Sequence, residues 1–388
     1  MTKPSLIYAL SYALSLSSAS PVEQRAAPKC RDIFFDLEAS AQNRVALNPP
    51  TDFSDVPATI AFLTQPVAFQ PVSGSQKIYG QYCEPTTNYP GRSNNLQLLI
   101  HGNSYDHLYF NAFDTTPLSL ANSWAAYANA NGYPTLAIDR LGIGKSSHPD
   151  PINVVQAPYQ AELYNTLINL LRSSTKLSIP TGWKKIIWVG HSYGSILGTQ
   201  VSTKHPDAVD AFVQTGIAIP TPDENALPGE LQDGYVQAST YDPVRFPPAV
   251  YTPGYLVTSS KVGRQNTFYS NPLSDYSLAL LNRDFEKKDT LALGEALTQD
   301  IYNSTTYAKP VFVVTGKQDA VFCGNGSRLL GTPDCTQELP ATKLFYPAVP
   351  ASKFEYYAQP NAGHCHQMHY TAAAGFAKAH AFLAKMGF

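Results

Sequence analysis

The stretch "IIWVGHSYGS", residues 186–195, opens as a buried strand and closes as something else. Four of its first five residues are large and apolar, and then Ser192 stands between Gly190 and Gly194. A chain that turns abruptly from strand to helix needs flanking residues with no side chain to clash. Such a turn lifts the serine oxygen clear of the sheet, at the N-terminus of the next helix. The spacing predicts that helix over 193–204. On its own G-x-S-x-G is a weak motif, but its place between an apolar strand and a helix makes it a strong one.

Working outward, the same rhythm repeats. "LQLLIHG" (96–102) reads as a short buried strand, with a helix near 117–131. "YPTLAID" (133–139) is the next strand, with a helix near 157–173. "AFVQTGI", "PVFVVTG" (310–316) and "FEYYAQP" (354–360) follow, then an Ala-rich amphipathic helix. Continuous apolar strands alternating with helices predict an α/β fold with a mostly parallel central sheet and helices on both faces. Upstream, after a Pro-rich arm, "PVAFQPV" and "QKIYGQYCEP" read as two separate early strands. Residues 220–308, rich in Pro and Tyr, break the rhythm and read as a cap inserted between strands 6 and 7. The core would then be 21–219 and 309–388.

A serine becomes a nucleophile only with a base beside it and a carboxylate to orient that base. "QPNAGHCHQMHY" supplies His364 after the last strand, and "VVTGKQDAVF" supplies Asp319 after the strand before it. Both fall on loops at the carboxyl ends of parallel strands, where such sheets build their sites. Asp223 and Glu224 in "TGIAIPTPDEN" are alternative acids after strand 6, but they follow Pro220 and Pro222 and suit the opening of the cap better. "LLIHGNSYD" places Asn103 after an upstream strand, so the N–H groups of Asn103 and Tyr193 are the expected oxyanion donors.

Taken together, "HGN", "DRLGIGKS" (139–146), "GHSYG", "GKQD" and "NAGH" resemble the α/β-hydrolase superfamily, over roughly residues 75–385. The order Ser192, Asp319, His364 is that of the superfamily's triad. The resemblance is to the serine esterase and lipase-like branch, and to secreted α/β-hydrolases of filamentous fungi. It implies cleavage of a carboxylic ester or lactone through an acyl-enzyme, without cofactor. The same triad would serve an amidase or peptidase, and the same fold a lyase or perhydrolase. Epoxide and haloalkane hydrolases need aspartate where this elbow carries serine. Asn103 departs from the commoner apolar residue after His-Gly and leaves room for an extra side-chain donor.

Composition fits this picture. The 388 residues are 44 % hydrophobic and 14 % charged, with a formal net charge of −2 and no basic run, which argues against a nucleic-acid partner. Lys3, an apolar stretch from Leu6 to about Leu16 and small residues to Ser20 have the order of a signal peptide over 1–20. The apolar run is too short to span a bilayer, so the mature protein is expected outside the cell. Secretion makes Cys323–Cys335 a natural disulfide, worth about 3 kcal/mol as a loop closure. Cys30 and Cys83 form the preferred second pair and Cys365 is left over, although five cysteines permit other pairings. Asn303 and Asn325 are glycosylation acceptors.

Each of these residues also has a plainer possible role. Ser192 could be a helix cap only, and His364, His366 and His369 could be metal ligands. The latter lack neighbouring carboxylates, so no metal is expected. Asp139 is expected to brace its own glycine turn, and His191 to pack under the elbow. Tyr235, Tyr241, Tyr251, Tyr255 and Tyr269 would be either the core of the cap or an aromatic lining that favours bulky or aromatic substrates. Oligomeric state is not legible.

Overall fold

The computed structural model describes residues 28–50, 55–113, 121–173, 176–219, 234–324, 326–329 and 331–388. The expected signal peptide, Asp223, Glu224 and Asn325 lie outside the described residues. The chain opens with two long strands, β1 (Cys30–Arg44) and β2 (Phe69–Cys83), paired antiparallel along their whole length. This corrects two expectations. The N-terminal arm is itself a strand, and "PVAFQPV" and "QKIYGQYCEP" belong to one strand rather than two. Pro71 misled because proline usually interrupts a ladder. Here β2 meets its second neighbour only from Gly80 to Cys83, so Pro71 faces a free edge, where a missing N–H costs little.

Then come β3 (Asn95–Ile100), β4 (Thr135–Ile138), β5 (Lys185–His191) and β6 (Ala211–Thr215). A small antiparallel sheet follows, made of β7 (Tyr235–Gln237), β8 (Tyr255–Thr258) and β9 (Leu291–Ala292). Finally β10 (Val311–Gly316) and β11 (Phe354–Gln359) return to the main sheet. Its order is β1-β2-β4-β3-β5-β6-β10-β11, with every neighbour from β4 to β11 parallel. β10 is therefore the seventh strand of the main sheet.

Alternation along the strands fills two cores. Leu98, Ile100, Trp188 and Val313 face one layer, and Leu99, Val189, Phe312 and Val314 face the other. All are buried, each large side chain contributing roughly 1.5–3 kcal/mol. Helices Ala157–Arg172 and Tyr193–Lys204 pack on the first face, and Trp124–Ala130 and Ala372–Lys385 on the second. Of the helix expected near 117–131, residues 124–130 are helical, and 114–120 are outside the described residues. No helix among the described residues is long and apolar enough to cross a membrane.

Two disulfides are present, Cys30–Cys83 and Cys323–Cys335. The first joins residues that are register partners at the end of the β1–β2 pair. Asn303 is exposed.

Candidate active site

The site assembles at the carboxyl ends of β3, β5, β6, β10 and β11. After β5, Ser192 adopts φ 52° and ψ −118°, a conformation that costs a non-glycine residue on the order of 1–3 kcal/mol. Surrounding bonds hold it there. The Ser192 N–H donates to Thr215 O at the end of β6 (2.8 Å), and Ser195 N–H and Ile196 N–H donate back to Ser192 O (2.7 and 3.0 Å). The glycine flanks are sterically required. A Cβ on Gly190 would lie 2.5 Å from Gly194 O, and one on Gly194 would lie 2.0 Å from Ile100 O. Although Ser192 occupies the N-cap position, its side chain makes no capping bond, which removes the reading as a cap only.

Asp319 and His364 are in contact. Asp319 Oδ2 accepts from His364 Nδ1–H (2.9 Å) and from the Thr315 hydroxyl (2.6 Å). Its Oδ1 accepts from Val321 N–H and Phe322 N–H, capping the short helix Ala320–Cys323. Burial alone would raise this carboxyl, but the His364 charge and these four donors outweigh it and hold it below the usual range. His364 is 1 % exposed, so little water competes for the pair. The structure forms no hydrogen bond between Ser192 Oγ and His364. Thr215, whose carbonyl accepts from the Ser192 N–H, is followed by Gly216, where a Cβ would meet His364 Cε1 at 3.3 Å. Nucleophile–base bonds commonly tighten only around substrate.

Gly102 presses against the elbow: a Cβ there would lie 2.8 Å from Ser192 Cβ. Asn103 is the next residue of that loop. Tyr193 N–H is the first of its helix, and first-turn N–H groups have no acceptor within a helix. His101 is neutral, because burial and then the Arg140 charge depress its pKa. Its Nδ1–H donates to Gly102 O (2.9 Å) and its Nε2 accepts from Arg140 N–H (3.0 Å).

The remaining candidates fall as follows. His191 is buried under the elbow, stacked on Tyr109 (4.3 Å between centroids) and joined to Thr215 Oγ1 (3.1 Å). His366 Nδ1 bonds Gln359 Oε1 (2.9 Å), and His369 Nε2 accepts from Ser270 N–H and Gly363 N–H. Both have their own protein partners. Asp139 braces its turn, with Oδ2 accepting from Lys145 N–H (2.8 Å) and Oδ1 from His107 N–H and Nδ1–H (2.9 and 2.6 Å). Asp106, His107 and Asp139 are near enough to ligate an ion, but those Asp139 oxygens are already taken by protein donors. Tyr255 and Tyr269 are fully buried, Tyr251 nearly so, Tyr235 is half-buried, and Tyr241 is 41 % exposed. The aromatic rings flanking the imidazole are instead Phe268 (5.6 Å) and Phe322 (5.8 Å), which the sequence reading did not single out. Phe322 lies three residues after Asp319 on a short helix, which was a usable signal.

Cys365 carries the one free thiol among the described residues. It is buried beside His364, 2.9 Å from Tyr105 Oη and 3.8 Å from His191 Nε2.

A family model described as alpha/beta hydrolase fold matches residues 98–331, more than half of the chain. No curated protein sequence matches. Among solved structures, an epoxide hydrolase from Vigna radiata is similar with a TM-score of 0.50 at 15 % identity, covering 89 % of this chain and 98 % of its own. A thermophilic esterase from Thermogutta terrifontis gives 0.46 at 14 %, covering 81 % and 96 %. A hydrolase-fold protein from Chitinophaga pinensis gives 0.49 at 15 %, covering 79 % and 94 %.

Proposed function

Because the chain belongs to the α/β hydrolase fold family, we propose that it is a secreted serine hydrolase that cleaves a carboxylic ester or lactone. The observation that carries this reading is the 2.9 Å bond from His364 Nδ1–H to Asp319, set beside a serine at φ 52°. An imidazole held through Nδ1–H presents Nε2 as a base, and a serine lifted off the sheet is a group that needs one.

Ser192 Oγ attacks the acyl carbon while His364 Nε2 takes its proton. The carbonyl oxygen becomes an oxyanion, held by the N–H groups of Asn103 and Tyr193. Collapse expels the alcohol, which leaves with the proton from His364; in a lactone it stays tethered to the acyl group. His364 then takes a proton from water, which attacks the acyl-enzyme; collapse breaks the bond to Ser192 Oγ, which regains its proton from His364, and the acid leaves. Asp319 keeps the imidazole in one tautomer and offsets its positive charge throughout. No cofactor enters these steps.

Residues 220–308 act as a cap in this reading, supported by Phe268, which approaches the His364 ring from helix Lys261–Phe268. The flanking phenyl rings favour bulky or aromatic acyl groups. Two disulfides support an extracellular destination, since such bonds persist in oxidising compartments.

The test is hydrolysis of an ester and lactone panel together with a fluorophosphonate probe. The probe should label Ser192, and Ser192→Ala or His364→Ala should lower kcat by about 10⁶. A Ser192→Ala protein keeping roughly a tenth of its activity, set against the loss known for organised triads, would overturn the reading.

A further inference from the structure

We propose that Arg140, held by Glu295, is the positioning residue that aims the Asn103 N–H at the oxyanion; this rests on the serine-hydrolase reading above. Arg140 follows β4 and Glu295 lies just after β9, and both side chains are fully buried. They form an ion pair closed off from bulk solvent. Glu295 is itself fixed: Oε1 also accepts from Gln160 Nε2 (2.9 Å), and Oε2 accepts from Ala292 N–H (3.2 Å). The guanidinium is thus placed from the segment between β6 and β10, not by Arg140's own strand alone.

What the guanidinium touches is the loop beside Ser192. Its Nη2 donates to Gly102 O (3.2 Å) and to Asn103 Oδ1 (3.4 Å). Its carbon lies 4.6 Å from the centroid of the Tyr193 ring. A trans peptide points its C=O and the following N–H in opposite directions. With Gly102 O held by Arg140 Nη2 and also by His101 Nδ1–H, the Asn103 N–H points away from the guanidinium, on the side that we take to face Ser192. One buried cation therefore contacts both residues whose N–H groups hold the oxyanion. It also ties up the Asn103 side-chain oxygen. Two buried charges are not needed to hold these elements together, since apolar groups of similar volume usually do so as well. A forked donor reaching two acceptors does what a methylene cannot.

The test uses the full-length protein, a fluorophosphonate and an ester substrate. In labelling, the Ser192 Oγ–P bond forms, the P–F bond breaks, fluoride leaves, and the serine proton passes to His364. The developing P–O⁻ occupies the oxyanion position, so the labelling rate reports on it. Arg140→Met with Glu295→Met removes the cation and its counter-charge together and leaves an apolar pair of similar volume. Labelling and kcat should both fall about 10- to 100-fold with KM unchanged and the melting temperature near wild type. Arg140→Lys, which keeps a charge opposite Glu295 but loses the fork, should show the same split. Labelling at the wild-type rate in the folded double variant, or in Arg140→Lys, overturns the proposal. A raised KM together with a lowered melting temperature in both variants would make Arg140 merely structural and also overturn it. A wild-type protein that the probe never labels at Ser192 would sink the serine-hydrolase reading itself, and this proposal with it.

Discussion

Asp319 serves His364 with one carboxylate oxygen and caps its own helix with the other, at 2.9 Å in both directions. Asparagine can keep the capping role but cannot offset an imidazolium charge. Asp319→Asn should therefore lower kcat by about 10⁴ with the fold intact. Asp319→Ala should lose a further ~1 kcal/mol of stability with the cap. Steady-state kinetics and chemical denaturation of both variants check this. A near-wild-type kcat for Asp319→Asn would move the acid elsewhere, with Asp223 or Glu224 next in line.

Acid should destabilise the protein well above the carboxylate range. Burial depresses His366 and His369 to about 3 and His148 and His380 to about 4, and also drives His101 and His191 well below the usual histidine range. Unfolded, each takes up a proton near pH 6.5. Between these values the unfolded state binds more protons, so stability falls as pH falls. Asp106, raised to about 7 chiefly by burial, and Asp289, raised for the same reason, oppose this but are outnumbered. Each net proton contributes about 1.4 kcal/mol per pH unit. Melting temperature measured from pH 7 to 4 should drop steadily from about pH 6.5, and a flat profile down to pH 5 would contradict the buried neutral histidines.

Glycines around the elbow should separate activity from folding. Gly194→Ala would drive a methyl group into Ile100 O at 2.0 Å, and should destabilise by about 3 kcal/mol or more. Gly102→Ala meets Ser192 Cβ at 2.8 Å and His191 O at 3.1 Å. Its milder clash should displace the oxyanion loop, so kcat should fall more than stability. Paired melting curves and kinetics decide this.

With Phe268 and Phe322 beside His364, kcat/KM for a benzoyl or long-chain ester should exceed that for the acetyl ester by at least about tenfold. Phe268→Ala should shrink that ratio. Equal values across acyl sizes would remove the case for an aromatic lining.

The parts that were legible in the sequence are those whose signal is local. The strand before Ser192, its helix over 193–204, and the loops carrying Asp319 and His364 all announce themselves within about ten residues. The strand β1 was missed because its exposed face mixes Asp32, Asp36 and Glu38 with Phe34, and only Ile33, Phe35 and Leu37 carry the alternation of a half-buried strand. Arg140 and Glu295 were illegible for a different reason. Their pairing spans 155 residues, and nothing local to either marks it. Phe268 was hidden likewise, since the path of the inserted segment decides what it faces.

Cys365 gives the molecule a built-in sentinel. Burial, chiefly, pushes its thiol pKa well up, so the thiolate that reacts with other sulfurs is suppressed while the imidazole's surroundings stay closed. The same atom sits between Tyr105 and His191. Any opening that frees it must first part Tyr105 and His191, and the His191 ring packs beside His364. Thiol-reagent uptake by the otherwise oxidised protein therefore counts molecules whose chemistry has already come apart, including partly folded chains whose odd sulfur is free to shuffle with the two bridges.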